Sequence, residues 1–426
     1  MKAADLVVAG CRELVTCAGP LPRRGKGLRQ VGLVENGWVA SSKGVIVFAG
    51  SEDGFLAEVA PDPGAVTIDG RGMVALPGFV DAHTHLPFAG ARAREFGLRI
   101  QGWTYQQLAE RGMGIQTTVR ATRAASLDDL VGLSLKRLDR MLLTGTTTVE
   151  AKSGYGLNLE DEVKQLEALR DAGALHPVDV VPTFMGAHDV PPEYRDKREE
   201  YVRLLVETLI PEVRQRGLAE FFDIFCEPGA FSLEETLTLA TAAKAAGFKV
   251  KIHADEFVSL GGAELAAEVG AVSAEHLIAV SDQGIARLAA SDTAAILLPG
   301  VSFFLMMDKR APARRLIDAG AAVVLASDFN PGSSHIGSMP FILQLGVFTL
   351  GMTVEEALNA CTGNAACAVG RQGAVGSLES GKKMDLLLCD VPDHVSLAYE
   401  AGRNPVRTVI KNGKVVVEDG RRVAPR

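Results

Sequence analysis

Residues 76–90 read LPGFVDAHTHLPFAG. An apolar run carrying Val74, Leu76, Phe79 and Val80 ends in His83 and His85, and loop-forming residues follow. Side chains alternate faces along a strand, so residues two apart point the same way. His83 and His85 are therefore expected to project together from the end of one strand, and two imidazoles aimed at one point form half of a metal site. Two exposed histidines at a strand end satisfy the same pattern, so the rest of the chain has to supply the other half.

The chain has 426 residues, more than one ordinary domain, which favours a single large barrel or two domains. Its 47% hydrophobic and 23% charged content is that of a globular protein with ample core. A net charge of −8 and the lack of a basic block argue against nucleic-acid binding. The six cysteines, Cys11, Cys17, Cys226, Cys361, Cys367 and Cys389, show no C-x-x-C spacing, so a reducing, cytoplasmic setting is expected. The N-terminal apolar stretch is broken by Asp5 and followed by Arg12 and Glu13, unlike a signal peptide. The longest apolar run, 294–307, contains Pro299 and Gly300 and is too short to span a bilayer. A soluble protein without membrane contact is expected.

Both ends of the chain read as short strands and turns. Asn36-Gly37 and Asn412-Gly413 are hairpin signals. Neither end has enough apolar length to fold alone, so residues 1–67 and 372–426 are expected to pair into one small β-sandwich. Between them, 68–371 alternates strand and helix. Eight candidate strands lie at 78–84, 146–152, 178–184, 221–226, 248–254, 271–277, 294–300 and 321–328. Ser126 and Gly145 bound one helical pattern, Ser232 and Gly247 another, as N-cap and C-terminal glycine. Eight such units make a (β/α)8 TIM barrel, an α/β fold. A doubly wound open sheet is disfavoured because no glycine-rich phosphate loop follows the first strand.

Catalytic groups of such barrels stand at the C-terminal ends of the strands. His83 and His85 close strand one, His253 strand five, His276 strand six and Asp328 strand eight. Taken singly, each is an ordinary core histidine or turn former. Jointly, three imidazoles and a carboxylate make a ligand set for Zn²⁺ or a similar ion, with room for water.

The pattern resembles the amidohydrolase superfamily, with His-x-His on strand one, histidines on five and six, and Asp on eight. Binuclear members add a carboxylated lysine on strand four. Here strand four ends in Phe225-Cys226-Glu227, and Lys152 ends strand two, where it reads as a local ion-pair partner. One metal is expected. Residues 83–123, EAKSGYGL (150–157), FMGAHDVPPEY (184–194), HADEF (253–257), GGAELAAEVGAVSAEHL (261–277) and SDFNPGSS (327–334) narrow the resemblance to the imidazolonepropionase family. It covers nearly the whole barrel. Departures are Gly112-Met113-Gly114 where three glycines are usual, His335 where proline is usual, and MMDKRAPAR (306–314). They concern loop shape rather than the reaction.

The resemblance implies hydrolysis of the cyclic amide of 4-imidazolone-5-propanoate to N-formimidoyl-L-glutamate, a step of L-histidine degradation. It implies one ion, Zn²⁺ or Fe³⁺, held by His83, His85, His253 and Asp328, since ligand type alone does not choose between them. Asp328 is placed to accept the proton of the attacking water. Glu256 matches a proton-transferring residue suited to the leaving ring nitrogen, and His276 would orient water or polarise the carbonyl. The division of labour between Glu256 and His276 is open. Arg92 is the family-matching partner for the propionate carboxylate, preferably bidentate, although position alone would not choose it over Arg94, Arg99 or Arg120. Tyr155 and His188 lie on loops where ring recognition is expected. Asn330, Gly332 and Ser333 follow Asp328 in a turn whose backbone N–H groups could bind an anion. A homodimer is also implied.

Two other readings remain. A deaminase of a heterocycle such as guanine shares His-x-His and H-x-x-E but would release ammonia, and KSGYG and DFNPGSS favour ring opening over it. A barrel kept as a scaffold should have lost ligands, whereas this set is complete.

Overall fold

The computed structural model describes residues 1–103, 107 and 111–424. Residues 104–106 and 108–110, within the 83–123 segment of the family resemblance, lie outside them.

The N-terminal strands are β1 (Lys2–Val15), β2 (Leu33–Ser42), β3 (Val45–Gly50), β4 (Val59–Asp69) and β5 (Val74–Pro77). β1 is one long strand bent at Gly10, which has φ +67°; its first half pairs parallel with β4 and its second with β5. Asn36-Gly37 is not the expected hairpin turn. Both residues lie inside β2, with Asn36 in the left-handed region and Gly37 lying against Leu14, where a Cβ would clash. The turn signal was instead that of a distortion in a continuous strand.

The barrel strands are β6 (Phe79–Asp81), β7 (Thr146–Lys152), β8 (Asp179–Ala187), β9 (Phe221–Cys226), β10 (Lys249–Ala254), β11 (Ser273–His276), β12 (Ala294–Leu297) and β13 (Val323–Leu325). All pair in parallel, in chain order. A parallel bridge between Thr84 and Phe329, with Asp328 N–H donating to His83 O and His85 N–H to Phe329 O, joins last to first. This is the (β/α)8 barrel. The connecting helices carry the expected signals. Ser126 with Asp129 caps Leu127–Leu143 and Ser232 with Glu235 caps Leu233–Ala245, each a reciprocal capping box. Such a cap is worth about 1 kcal/mol.

The C-terminal strands β14 (Leu386–Cys389), β15 (Val406–Lys411), β16 (Lys414–Glu418) and β17 (Arg421–Arg422) join β1–β5 in one nine-stranded mixed sheet. Asn412-Gly413 is the hairpin turn between β15 and β16, both residues having positive φ. The sheet folds over its own core of Leu6, Val8, Leu14, Val39, Leu386 and Ile410, so that the turn at Gly413 packs directly on Gly44 between β2 and β3. It abuts the N-terminal ends of the barrel strands: Gly78 N–H donates to Asp385 O, and Gly145 lies against Leu387 and Val406. The C-terminal ends, where the site lies, face away from it. A division into 1–67 with 372–426 and 68–371 is our proposal, refined by the fact that β5 pairs in the terminal sheet.

Candidate active site

His83 and His85 leave β6 with ring centroids 5.4 Å apart, and His253 at the end of β10 lies 4.6 Å from His83. Asp328 follows β13 and brings Oδ1 to 3.2 Å from His83 Nε2 and 3.4 Å from His85 Nε2. His83 Nε2, His253 Nε2 and Asp328 Oδ1 are buried and make no hydrogen bond. Unpaired buried polar atoms are costly unless something satisfies them. The donors of His83, His85 and His253 lie within 4.8 Å of one another, as do those of His83, His276 and Asp328. Imidazole nitrogens plus a carboxylate at this spacing fit a borderline divalent ion. Burial lowers the pKa of His83 and His85 well below the ordinary value, which keeps the rings neutral, as ligation requires. Burial raises Asp328 to about 7.

His276 and Glu256 sit together beside this centre. His276 Nδ1 is 3.6 Å from Glu256 Oε1, and its ring is 5.7 Å from His83. Burial, then the charges of Asp328 and Glu227, raises Glu256 well above the usual carboxylate range. A carboxyl that stays protonated near neutrality can donate a proton. Asp255, His276 and Asp328 all have left-handed backbone, with φ of 51°, 75° and 50°. Such conformations in non-glycine residues cluster at functional sites, held there by their surroundings.

Tyr155 and His188 reach the same centre from the loops after β7 and β8. Their rings are 5.9 and 4.9 Å from His85, and 5.3 Å from each other. Arg92 donates from Nε and Nη2 to Glu95, so the expected bidentate grip on a substrate must use its Nη1–Nη2 edge. Arg99 donates to Gly332 O, whereas Arg94 and Arg120 are exposed. Asn330 corrects the expected anion-binding turn. Its Oδ1 accepts from both Gly332 N–H and Ser333 N–H at 2.8 Å, so those amides are engaged. What the turn presents is Gly332 against Arg92 and the Ser333 hydroxyl, bonded to Asn330 Nδ2. Gly112 and Gly114 have positive φ and Met113 does not, so a methionine fits at that position. His335 is exposed, its ring tilted against that of Phe329 with centroids 4.8 Å apart.

Several residues went unread in the sequence, and Lys152, read there as a local ion-pair partner, does pair with Glu150. Behind the histidines, Glu275 Oε2 is 2.7 Å from His83 Nδ1, and Asp223 Oδ1 is 3.0 Å from His253 Nδ1. Glu150, Lys152 and Lys251 complete a fully buried ion cluster inside the barrel. A partial signal existed: each of these charges falls inside a strand of the barrel, where an isolated buried charge would be prohibitive. Carboxylates also hold the loops. Glu162 accepts from Gly154, Gly156 and Leu157, and Glu227 accepts from residues 256, 257 and 258.

The profile of the Amidohydrolase family matches residues 74–416, and the chain belongs to that family. Proteins named imidazolonepropionase match over its whole length. The one from Symbiobacterium thermophilum is 52% identical, covering 99% of each chain. That from Geobacillus kaustophilus is 50% identical, over 98% of this chain and 99% of its own. At such identity the chain is a hydrolase of the imidazolonepropionase branch. Solved structures share the fold. A triazine hydrolase variant has a TM-score of 0.73 at 18% identity, covering 98% of this chain and 96% of its own. A zinc-bound adenosine deaminase from Xanthomonas campestris has 0.70 at 20%, covering 99% and 95%.

Proposed function

We infer that the chain hydrolyses 4-imidazolone-5-propanoate to N-formimidoyl-L-glutamate in L-histidine degradation. One observation carries the reading: an ion-binding donor set, His83, His85, His253 and Asp328, is flanked by Glu256 with His276 on one side and Tyr155, His188 and Arg92 on the other. The ion is Zn²⁺ or iron. Bound there, it supplies acidity to a water, toward a pKa of about 7, and polarises the carbonyl.

The chain's residues do the rest. Asp328, beside the attacking water, takes its proton. Water adds to the ring carbonyl carbon, the adjacent ring C–N bond breaks, and Glu256 delivers a proton to the departing nitrogen. His276, next to Glu256, polarises the carbonyl oxygen. The carbonyl carbon becomes a carboxylate, and both nitrogens stay in the product. Arg92 pairs with the propionate carboxylate beside Gly332 and Ser333, with Asn330 fixing that turn, while Tyr155 and His188 enclose the ring.

Exposed apolar side chains on adjoining helices, Phe303 on Pro299–Phe304 and Phe348 on Met339–Leu350, support a homodimer. Six unpaired cysteines support a cytoplasmic setting. No described helix is long and apolar enough to cross a membrane.

The test supplies metal-replete protein with imidazolone propionate and follows formimidoyl-glutamate and ammonia together. The reading requires formimidoyl-glutamate without ammonia, lost in Asp328→Ala. Ammonia released from a heterocycle such as guanine, with no ring opening, would assign a deaminase instead.

A further inference from the structure

Lys152 ends β7 in the barrel interior and is fully buried. Its Nζ lies 2.8 Å from Glu150 Oε1, 2.7 Å from Asp223 Oδ2 and 3.2 Å from Glu275 Oε2. Two of these three carboxylates continue outward to the ion-binding histidines. The other oxygen of Asp223 faces His253 Nδ1 at 3.0 Å, and the same Glu275 oxygen faces His83 Nδ1 at 2.7 Å. Each ring with Nδ1 turned to a carboxylate presents Nε2 to the centre, and both Nε2 atoms are buried without a hydrogen bond; His253 Nδ1 is hydrogen-bonded to Asp223, while His83 Nδ1 meets Glu275 as a close ionic contact. Residues behind a metal's ligands commonly fix ring orientation and tautomer in this way.

We propose that Lys152 is a positioning residue for the ion-binding site: a single buried ammonium aims both carboxylates, and through them both His83 and His253. The arrangement explains why the barrel interior holds charge where aliphatic packing would be expected. Three carboxylates 0% exposed repel one another unless a cation lies among them. Lys251 shares the load but not the role. It touches Glu275 Oε1 at 2.7 Å and Ala82 O at 3.2 Å, and reaches Glu150 only at 3.9 Å. Of the two lysines only Lys152 bridges Asp223 and Glu275, whose oxygens also both face His253 Nδ1, at 3.0 and 3.5 Å. The inference rests on the metal reading of His83, His85, His253 and Asp328.

The test uses cobalt(II) as the probe, in full-length wild type, Lys152→Met and Asp223→Asn. Cobalt stoichiometry, affinity by chelator competition and the visible ligand-field bands are measured, with circular dichroism to confirm folding. Wild type should take one cobalt per subunit; if it takes none, the metal reading itself falls. Lys152→Met should bind about 10- to 100-fold more weakly, with shifted bands. A merely structural lysine would lower the melting temperature and leave both unchanged, and that result in folded protein overturns the proposal. Should Lys152→Met not fold, Asp223→Asn decides. It must show weaker binding and altered bands, and wild-type cobalt behaviour there also overturns the proposal.

Discussion

Arg92 and Gly332 are packed so closely that a Cβ at position 332 would overlap the guanidinium Nη1. Gly332 has no unusual φ, so the constraint is one of space and not of backbone conformation. Gly332→Ala should push Arg92 off its carboxylate-binding position while leaving Glu256 and the histidines in place. Steady-state kinetics should show KM raised about 10- to 100-fold, the worth of a charged hydrogen bond, with kcat little changed. A fall in kcat with KM constant would place Arg92 elsewhere in the mechanism.

Glu256 is held protonated by burial and by neighbouring negative charge, and the Glu227 carboxylate accepts the N–H groups of residues 256–258. Glu256→Gln preserves shape and removes the transferable proton. It should cut kcat by about 10²- to 10⁴-fold with metal content unchanged, as measured by turnover alongside elemental analysis. Near-normal turnover would move the proton transfer to His276.

The Tyr155 loop depends on one carboxylate. Glu162 is fully buried and accepts from Gly154 at 3.1 Å, and from Gly156 and Leu157 at 2.8 Å. Glu162→Ala leaves three buried N–H groups without an acceptor, a loss of about 3 kcal/mol or more. The melting temperature should drop by several degrees, and activity should fall with it as Tyr155 loses its place beside His188. Unchanged stability would mean that water or a neighbour replaces the carboxylate.

Asp179 at the start of β8 pairs with Lys383 and Lys411 of the terminal sheet, at 2.9 and 2.8 Å. Burial alone would raise its pKa, but the two lysines outweigh burial and hold it below the ordinary 3.8. A carboxyl depressed in the folded state stabilises above its unfolded pKa, and that contribution disappears as pH falls through the folded value. Asp179→Asn should therefore be less stable than wild type by a constant margin near neutrality. The margin should shrink below about pH 4, as followed by thermal melts across pH. A margin independent of pH down to strong acid would show that the ion pairs are not its source.

The positions of all eight barrel strands were legible and the limits of β7 and β9 matched, whereas β6, β12 and β13 are several residues shorter than expected. Asn36-Gly37 was not legible, since a dipeptide that permits left-handed backbone serves a bulge as readily as a turn, and only the neighbouring strand decides which. Among the site residues, His83, His85, His253, His276 and Asp328 could be read from their strand-end positions. Lys152 could not be paired with Asp223 and Glu275, because they stand on other strands, 71 and 123 residues away.

By itself, then, the sequence determined local geometry: period-two placement of His83 and His85, the Ser126 and Ser232 caps, and the alternation that makes a barrel. These depend on torsions and contacts within a few residues. Only the tertiary structure decided which face of Arg92 is free, that Asn330 occupies the amides of its own turn, and that Lys152 stands between Asp223 and Glu275. Those arrangements depend on distances set by ring closure of eight strands, and a buried charge declares its partner only when the strands that carry both are side by side.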